Sequence, residues 1–240
     1  MKGMNDLIEL DGVTKFFSIR DESYYTLNHV SLKIERQEFV GIIGKSGSGK
    51  STLLNMMSGI DFPSYGTIKI NGTDITNLSN RKLTKWRLKN IGMVFQSFHL
   101  IPTLTLLENI ILPMDFTYSY RKKQKMNRAI ELLELVGLEG KGDLYPDYAS
   151  GGEKQRTAIA RALANDPPLI LADEPTGNLD TENAFHIFAL FQKLAKEGKT
   201  IVMVTHDRDL SQQVTKTLLV KDGEVTSYLK GNQREEWLLK

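Results

Sequence analysis

Four short stretches of the chain are apolar without interruption: Phe39 to Ile43, Ile91 to Phe95, Leu169 to Ala172 and Thr200 to Thr205. A strand with one wet face alternates, so a continuous run predicts a strand covered on both faces, as in a parallel sheet. Between the runs the period changes. From Thr181 to Gly198, the residues Ala184, Ile187, Phe188, Phe191, Leu194 and Ala195 follow the i, i+3, i+4, i+7 spacing of one buried helix face, and Gly198 supplies a stop. Met126, Ala129, Ile130 and Leu133 repeat that spacing from about Lys123 to Val136, with Gly137 after it. Strands alternating with helices predict an α/β fold.

Two regions depart from this pattern. The first forty residues and the segment Gly66 to Gly72 alternate, as in Thr67-Ile68-Lys69-Ile70 before the turn signal Asn71-Gly72, which predicts a small antiparallel sheet. From about Ser97 to Asp147 there is no convincing strand, and Pro102, Pro113 and Pro146 break helical pieces apart. This segment reads as a helical lobe inserted into the α/β core. The basic run Arg121 to Lys125 reads as a solvated helix start, and the tail after Gly223, with Trp237, as a helix packed on the core.

Composition narrows the class. A length of 240 residues allows one large domain or one domain carrying a smaller inserted lobe, and 40% hydrophobic with 25% charged residues is a globular balance that excludes disorder, collagen-like repeats and rods. No run approaches the roughly 18 apolar residues of a membrane span. The start MKGMNDLIEL lacks the apolar centre of a secretory signal, so the chain is expected neither to span a membrane nor to leave the cell. The absence of cysteine excludes a disulfide scaffold and a thiolate metal site and fits the cytoplasm. A formal charge of +2 gives no electrostatic ground for a nucleic-acid partner.

The chemistry begins where the first apolar run ends. Gly44-Lys45-Ser46-Gly47-Ser48-Gly49-Lys50-Ser51-Thr52 satisfies G-x-x-x-x-G-K-[ST]. Glycines let such a loop curl so that successive N–H groups face phosphate oxygens, and the helix from Lys50 adds its N-terminal dipole. Lys50 is placed for the β- and γ-phosphates, and Ser51 for Mg²⁺. Asp173 and Glu174 end another run, at the strand edge where open α/β sheets bind ligands; Asp173 can hold Mg²⁺ and Glu174 can polarise an attacking water. His206 and Gln96 end the remaining two runs, the amide able to orient water or touch the metal. Alone, these would read as surface acids and a loop histidine; beside a phosphate loop they become catalytic candidates. A second anion site comes from Ser150-Gly151-Gly152-Glu153, a turn that opens a helix with an apolar stripe at Ala158, Ile159, Ala162 and Leu163. Two phosphate sites on one chain suggest that each nucleotide is held between the Lys50 loop of one copy and the Ser150 turn of another.

With these motifs in this order, the chain resembles the nucleotide-binding subunits of ABC transporters from about residue 7 to 230. Within them it looks most like the macrolide-efflux, lipoprotein-releasing and antimicrobial-peptide subgroup, through Val94 to Pro102, Leu104 to Asn109, Ala172 to Asp180 and the stretch Ser18 to Thr26. The resemblance implies a P-loop NTPase core, a mostly parallel sheet flanked by helices, with an N-terminal antiparallel β subdomain and an inserted α-helical subdomain. One ABC ATPase domain would then fill residues 1–240, with 1–96 and 158–230 as core, 97–157 as helical subdomain and 231–240 as tail. It implies ATP and Mg²⁺ as cofactors, Phe17 as the aromatic on adenine, Gln96 as the residue coupling the metal site to the helical lobe, and His206 as the γ-phosphate contact. It further implies that Asp180 communicates across a homodimer. Ala149 and Glu153 depart from the commoner leucine and glutamine of the Ser-Gly-Gly segment. The implied partners are a second copy and a membrane permease, with no nucleic acid; Phe98, Leu100 and Ile101, in the lobe after Gln96, either meet that permease or pack inside the lobe. The permease would hold the chain peripherally on the inner face of the membrane. A chromosome-structuring relative would need a long heptad segment, and a ribosome-associated one two phosphate loops; a sensing role without transport stays open.

Overall fold

The four continuous apolar runs are strands, each buried along nearly its whole length. The computed structural model describes residues 5–19, 22–117, 120–207 and 213–229. In chain order its elements are β1 (Asp6–Ile19), β2 (Glu22–Glu35), β3 (Phe39–Ile43), α1 (Lys50–Ser58), β4 (Tyr65–Ile70), β5 (Thr73–Asp74), α2 (Asn80–Asn90) and β6 (Ile91–Val94). There follow α3 (Leu106–Thr117), α4 (Lys122–Leu135), a 3-10 turn (Pro146–Tyr148), α5 (Gly151–Leu163), β7 (Leu169–Asp173), α6 (Thr181–Lys196), β8 (Thr200–Val204), β9 (Lys216–Lys221) and β10 (Glu224–Leu229). Parallel strands with intervening helices, and a separate antiparallel sheet, make this a mixed α/β protein, as the apolar pattern predicts. The chain divides into two compact units, residues 1–78 with 200–240, and residues 79–199.

The first unit holds two sheets. One has the order β2-β1-β4-β5 and is antiparallel throughout. Leu7, Ile8, Leu10 and Val13 of β1 and Leu27, Val30 and Ile34 of β2 are buried. Within the stretch Ser18 to Thr26, β1 reaches Ile19 and β2 begins at Glu22, with Phe16 paired to Tyr25 and Phe17 to Tyr24 just before and within it. The second sheet takes β3 as its centre, parallel to β8 on one side and β9 on the other. Phe39 pairs with Ile201 and Ile42 with Val204, so both strands end at the same level.

The start of the tail is a strand, not the helix expected from the sequence. Asp222 (φ 51°) and Gly223 (φ 79°) make a two-residue turn between Lys221 and Glu224, and β10 folds back along β9. Both turn residues in the left-handed region match the twist of a tight hairpin, and the β-branched Val225 and Thr226 suit a pleated strand. Trp237 and residues 231–240 lie outside the described residues.

In the second unit, β6 and β7 run parallel, Ile91 opposite Leu169 and Val94 opposite Ala172. Helix α6 starts one residue after its cap Asp180 and buries Ile187, Phe188, Phe191 and Leu194 of the stripe read from the sequence, while Ala184 and Ala195 are half-buried. Helices α3, α4 and α5 supply the segment that lacks strands. Its approach to α3 is fixed by the buried Asn109, whose amide donates to the carbonyls of Ile101, Leu104 and Thr105 and accepts the Ile101 N–H at 2.8 Å. One side chain thereby satisfies backbone groups that a loop would otherwise leave unpaired.

Phe191 is fully buried on α6. Phe191→Ala is expected to lower the unfolding free energy by about 3–5 kcal/mol, the transfer and cavity cost of a core aromatic. Urea unfolding measures it, and a loss below about 1 kcal/mol would place Phe191 outside the core.

Candidate functional site

In the first unit, six residues join the end of β3 to the start of α1. The reversal is possible because Gly49 takes φ 108°, and a Cβ there would stand 2.3 Å from the Thr26 carbonyl oxygen. Helix α1 begins without a side-chain cap and with no acidic residue in its first turn, so its N-terminal dipole faces outward uncompensated by any carboxylate of its own. Ser46, Gly47 and Ser51 are exposed along this turn, while Ser48, Gly49 and Lys50 are buried; Gly44 and Thr52 are half-buried. Lys50 is held in place by the loop itself, its ammonium donating to the carbonyls of Gly44 (3.0 Å) and Lys45 (2.8 Å).

His206 belongs to the same edge. It follows β8 by two residues and is exposed, and β8 is the parallel neighbour of β3. The Thr205 N–H donates to the Ile42 carbonyl at 3.1 Å, and the Asp207 N–H to the Thr205 hydroxyl at 3.0 Å, fixing the backbone on both sides of the imidazole. Phe17 is on β1, 46% exposed, so it is not a core residue. The Lys15 ammonium lies 5.0 Å from the centre of its ring and also pairs with Asp61 at 2.7 Å.

In the second unit, Asp173 is the last residue of β7 and Glu174 follows it in the left-handed region, φ 46°. That conformation turns the chain sharply, closed by the Gly177 N–H donating to the Glu174 carbonyl at 3.0 Å. Gln96 leaves the adjacent strand β6. Asn178 ties the two exits together: its amide donates to the Gln96 carbonyl at 3.1 Å, and the Gln96 amide donates to the Asn178 side-chain oxygen at 3.4 Å.

Ser150 caps α5 through a reciprocal pair. The Ser150 N–H donates to a Glu153 carboxylate oxygen (2.7 Å) and the Glu153 N–H to the Ser150 hydroxyl (3.3 Å). This is the arrangement that satisfies two orphan donors at a helix start. The other Glu153 oxygen accepts from Lys141 at 2.5 Å. Glu153 therefore does more than stand in for the commoner glutamine: the Lys141 ammonium, followed by the Ser150 N–H, holds its carboxyl at about 2, against a desolvation that pushes the other way. At the start of α6 the exposed Asp180 accepts the Asn183 N–H (2.9 Å) and side-chain amide (2.7 Å), and these bonds keep its carboxyl below the ordinary range. Asn183 also lies against Gly152, joining the α5 turn to the α6 cap. Sequence reasoning missed Lys141, Asn178 and Asn183. A cationic residue in the turn before a Ser-x-x-Glu cap, and asparagines at strand and helix ends, are the signals that mark them.

The residues fit a triphosphate with its Mg²⁺. The Ser48 hydroxyl is buried with no hydrogen-bond partner among the described residues, a polar atom awaiting one in the middle of the loop. No cluster of three or more His, Cys, Asp or Glu able to cage a metal occurs among the described residues. Mg²⁺ does not need one: it keeps waters and substrate phosphates and takes one or two protein oxygens, of which the exposed Ser51 hydroxyl at the end of the loop is one of the right kind.

Residues 27–177 match the family model for the ABC transporter. The chain belongs to the ABC transporter family. As such a subunit it binds ATP with Mg²⁺ and hydrolyses it. It is 45% identical over 219 residues to the ATP-binding protein YvrO of Bacillus subtilis, covering 91% of this ABC subunit and 95% of that protein. It is also 46% identical over 223 residues to MJ0796 of Methanocaldococcus jannaschii, covering 91% and 95%. A solved structure of MJ0796, described as a dimeric post-hydrolysis state bound to ADP and Pi, superposes with a TM-score of 0.87 at 42% identity, over 94% of this chain and all of that one. The macrolide export ATP-binding/permease protein MacB of Chlorobium phaeobacteroides is 45% identical over 93% of the chain, which spans 34% of that longer protein.

The Lys141–Glu153 pair sets a pH signature. Because the folded chain depresses the Glu153 carboxyl, the pair contributes fully above about 4.5 and is lost as pH falls toward about 2. Wild type is therefore expected to be more stable than Lys141→Met at neutral pH, with the gap closing in acid. Equal gaps at about pH 3 and about pH 6 in denaturant unfolding would contradict this.

Proposed function

We propose that two copies of the chain close around two ATP molecules and that their opening after hydrolysis drives a membrane permease, for export or extraction of a peptide, antibiotic or lipophilic compound. The observation that carries it is the pair of anion-type turns on one chain, the Gly44–Thr52 loop and the capped Ser150 turn. The dimeric description of the MJ0796 structures supports the pairing, and MacB, which joins ATP-binding and permease in one name, supports the export direction. Among the described residues no helix is long and apolar enough to cross a membrane. The permease is then a partner, met at the segment after Gln96, where Phe98 and Leu100 are half-buried and Ile101 is exposed. This would hold the chain at the cytoplasmic face.

In this reading the loop N–H groups of Ser46 to Thr52 and the Lys50 ammonium bind the phosphates, and Phe17 offers its exposed face to the adenine. Ser51, Asp173 and Gln96 would hold Mg²⁺, which when bound would supply positive charge to offset that of the phosphate oxygens. Glu174 takes the proton from the attacking water at its carboxylate, His206 donates toward the γ-phosphate, and Ser150, Gly151, Gly152 and Glu153 of the other copy complete the cage. Asp180 senses that copy. Little covalent chemistry is asked of the protein, so positioning and electrostatics carry the rate.

Glu174→Gln is expected to bind ATP with near-normal affinity and to hydrolyse it about 10²- to 10⁴-fold more slowly, the usual worth of a general base. Phosphate release measures this, and wild-type turnover would remove Glu174 from the role. Lys50→Ala is expected to lose ATP affinity, since the loop carbonyls of Gly44 and Lys45 can no longer hold a cation against the phosphates. Normal affinity in a nucleotide titration would contradict the phosphate-loop assignment.

A further inference from the structure

Helix α5 buries Ala158, Ile159, Ala160 and Leu163, and in the same interior face stands a glutamine with no exposed surface, Gln155. A buried amide without partners costs stability, so its bonds identify its use. Its nitrogen donates to the Pro175 carbonyl at 2.7 Å and to the Phe95 carbonyl at 3.4 Å. Its oxygen has no hydrogen-bond partner among the described residues. The orientation of the amide follows from chemistry, because an oxygen facing two carbonyls would repel both.

Both acceptors are neighbours of groups already placed in the chemistry. Phe95 precedes Gln96 at the exit of β6, and Pro175 follows Glu174 at the exit of β7. Two N–H bonds from one side chain thus hold the backbone on either side of the water-activating and metal-touching positions. Gln155 itself stands in the second turn of the helix that Ser150 caps.

We propose that Gln155 is a positioning residue that fixes Gln96 and Glu174 relative to the Ser150 turn, so that engagement of that turn by the second copy sets the geometry of hydrolysis. This rests on the reading of Glu174 as the base. A residue that only filled the core would be served as well by an apolar side chain of the same length, and here the oxygen does nothing a methionine would lose.

Gln155→Met keeps length and volume and removes only the two donors. Its kcat is expected to fall about 10- to 100-fold, the scale of a misplaced reacting group, while the ATP dissociation constant, set at the other unit's loop, changes less than about twofold. Unchanged kcat would overturn the proposal, and so would kcat and ATP affinity falling in step with a lowered melting temperature. Gln155→Glu gives a second readout. Its carboxyl donates one O–H when neutral and none when ionised, so its kcat relative to wild type is expected to fall as pH rises; a flat ratio would overturn the proposal even if Gln155→Met fails to fold. Glu174→Gln is assayed alongside. If it turns over ATP normally, the base assignment fails and takes this proposal with it; if it is inactive while Gln155→Met is normal, the positioning role alone fails.

Discussion

A triphosphate concentrates negative charge in a small volume, and a protein can replace its water only where several N–H groups and a cation converge on one spot. That constraint explains why the first unit is built as it is. Six residues must turn a buried strand into a buried helix with the backbone curled outward, which demands glycine at a left-handed position pressed against Thr26. The strand must be central, since a frame covered on both faces does not yield when charge arrives. Accordingly β3 lies between β8 and β9, and the hairpin β9–β10 closes that side. Lys50 is held to the loop by the bonds its ammonium donates to the carbonyls of Gly44 and Lys45.

The second unit solves a different problem, holding polar groups at the ends of elements without a metal cage. It does so by short side-chain bonds to backbone. Ser150 and Glu153 cap α5, Asp180 and Asn183 cap α6, Asn178 joins the exits of β6 and β7, and Gln155 reaches both exits from inside α5. Each bond is modest, worth about 1 kcal/mol net. Their effect is to leave the candidate groups few alternative positions, and a reaction that depends on placement gains most from that. The Lys141–Glu153 pair adds a charge-assisted bond at the start of α5.

Much of this was legible in the residues. Continuous apolar runs marked β3, β6, β7 and β8 because strands covered on both faces have no reason to alternate, and the spacing of Ile187, Phe188, Phe191 and Leu194 marked α6. Phosphate loop, strand-end acids and Ser-Gly-Gly turn were legible for the same reason, since each joins a fixed local conformation to a particular residue type. Long-range pairings were not. Nothing local shows that Lys141 meets Glu153, or that Gln155 faces Pro175 across twenty residues of chain. The start of the tail is a strand rather than the expected helix, although Asp222-Gly223 followed by Val225 and Thr226 is a hairpin signal.

In the proposed cage each nucleotide lies between the phosphate loop of one copy and the Ser150 turn of another. Light scattering of the Glu174→Gln protein with saturating ATP tests this most directly. A particle of twice the 27.1 kDa chain mass is expected with ATP, returning to 27.1 kDa with ADP. A mass of 27.1 kDa in both nucleotides, with ATP bound, would contradict it.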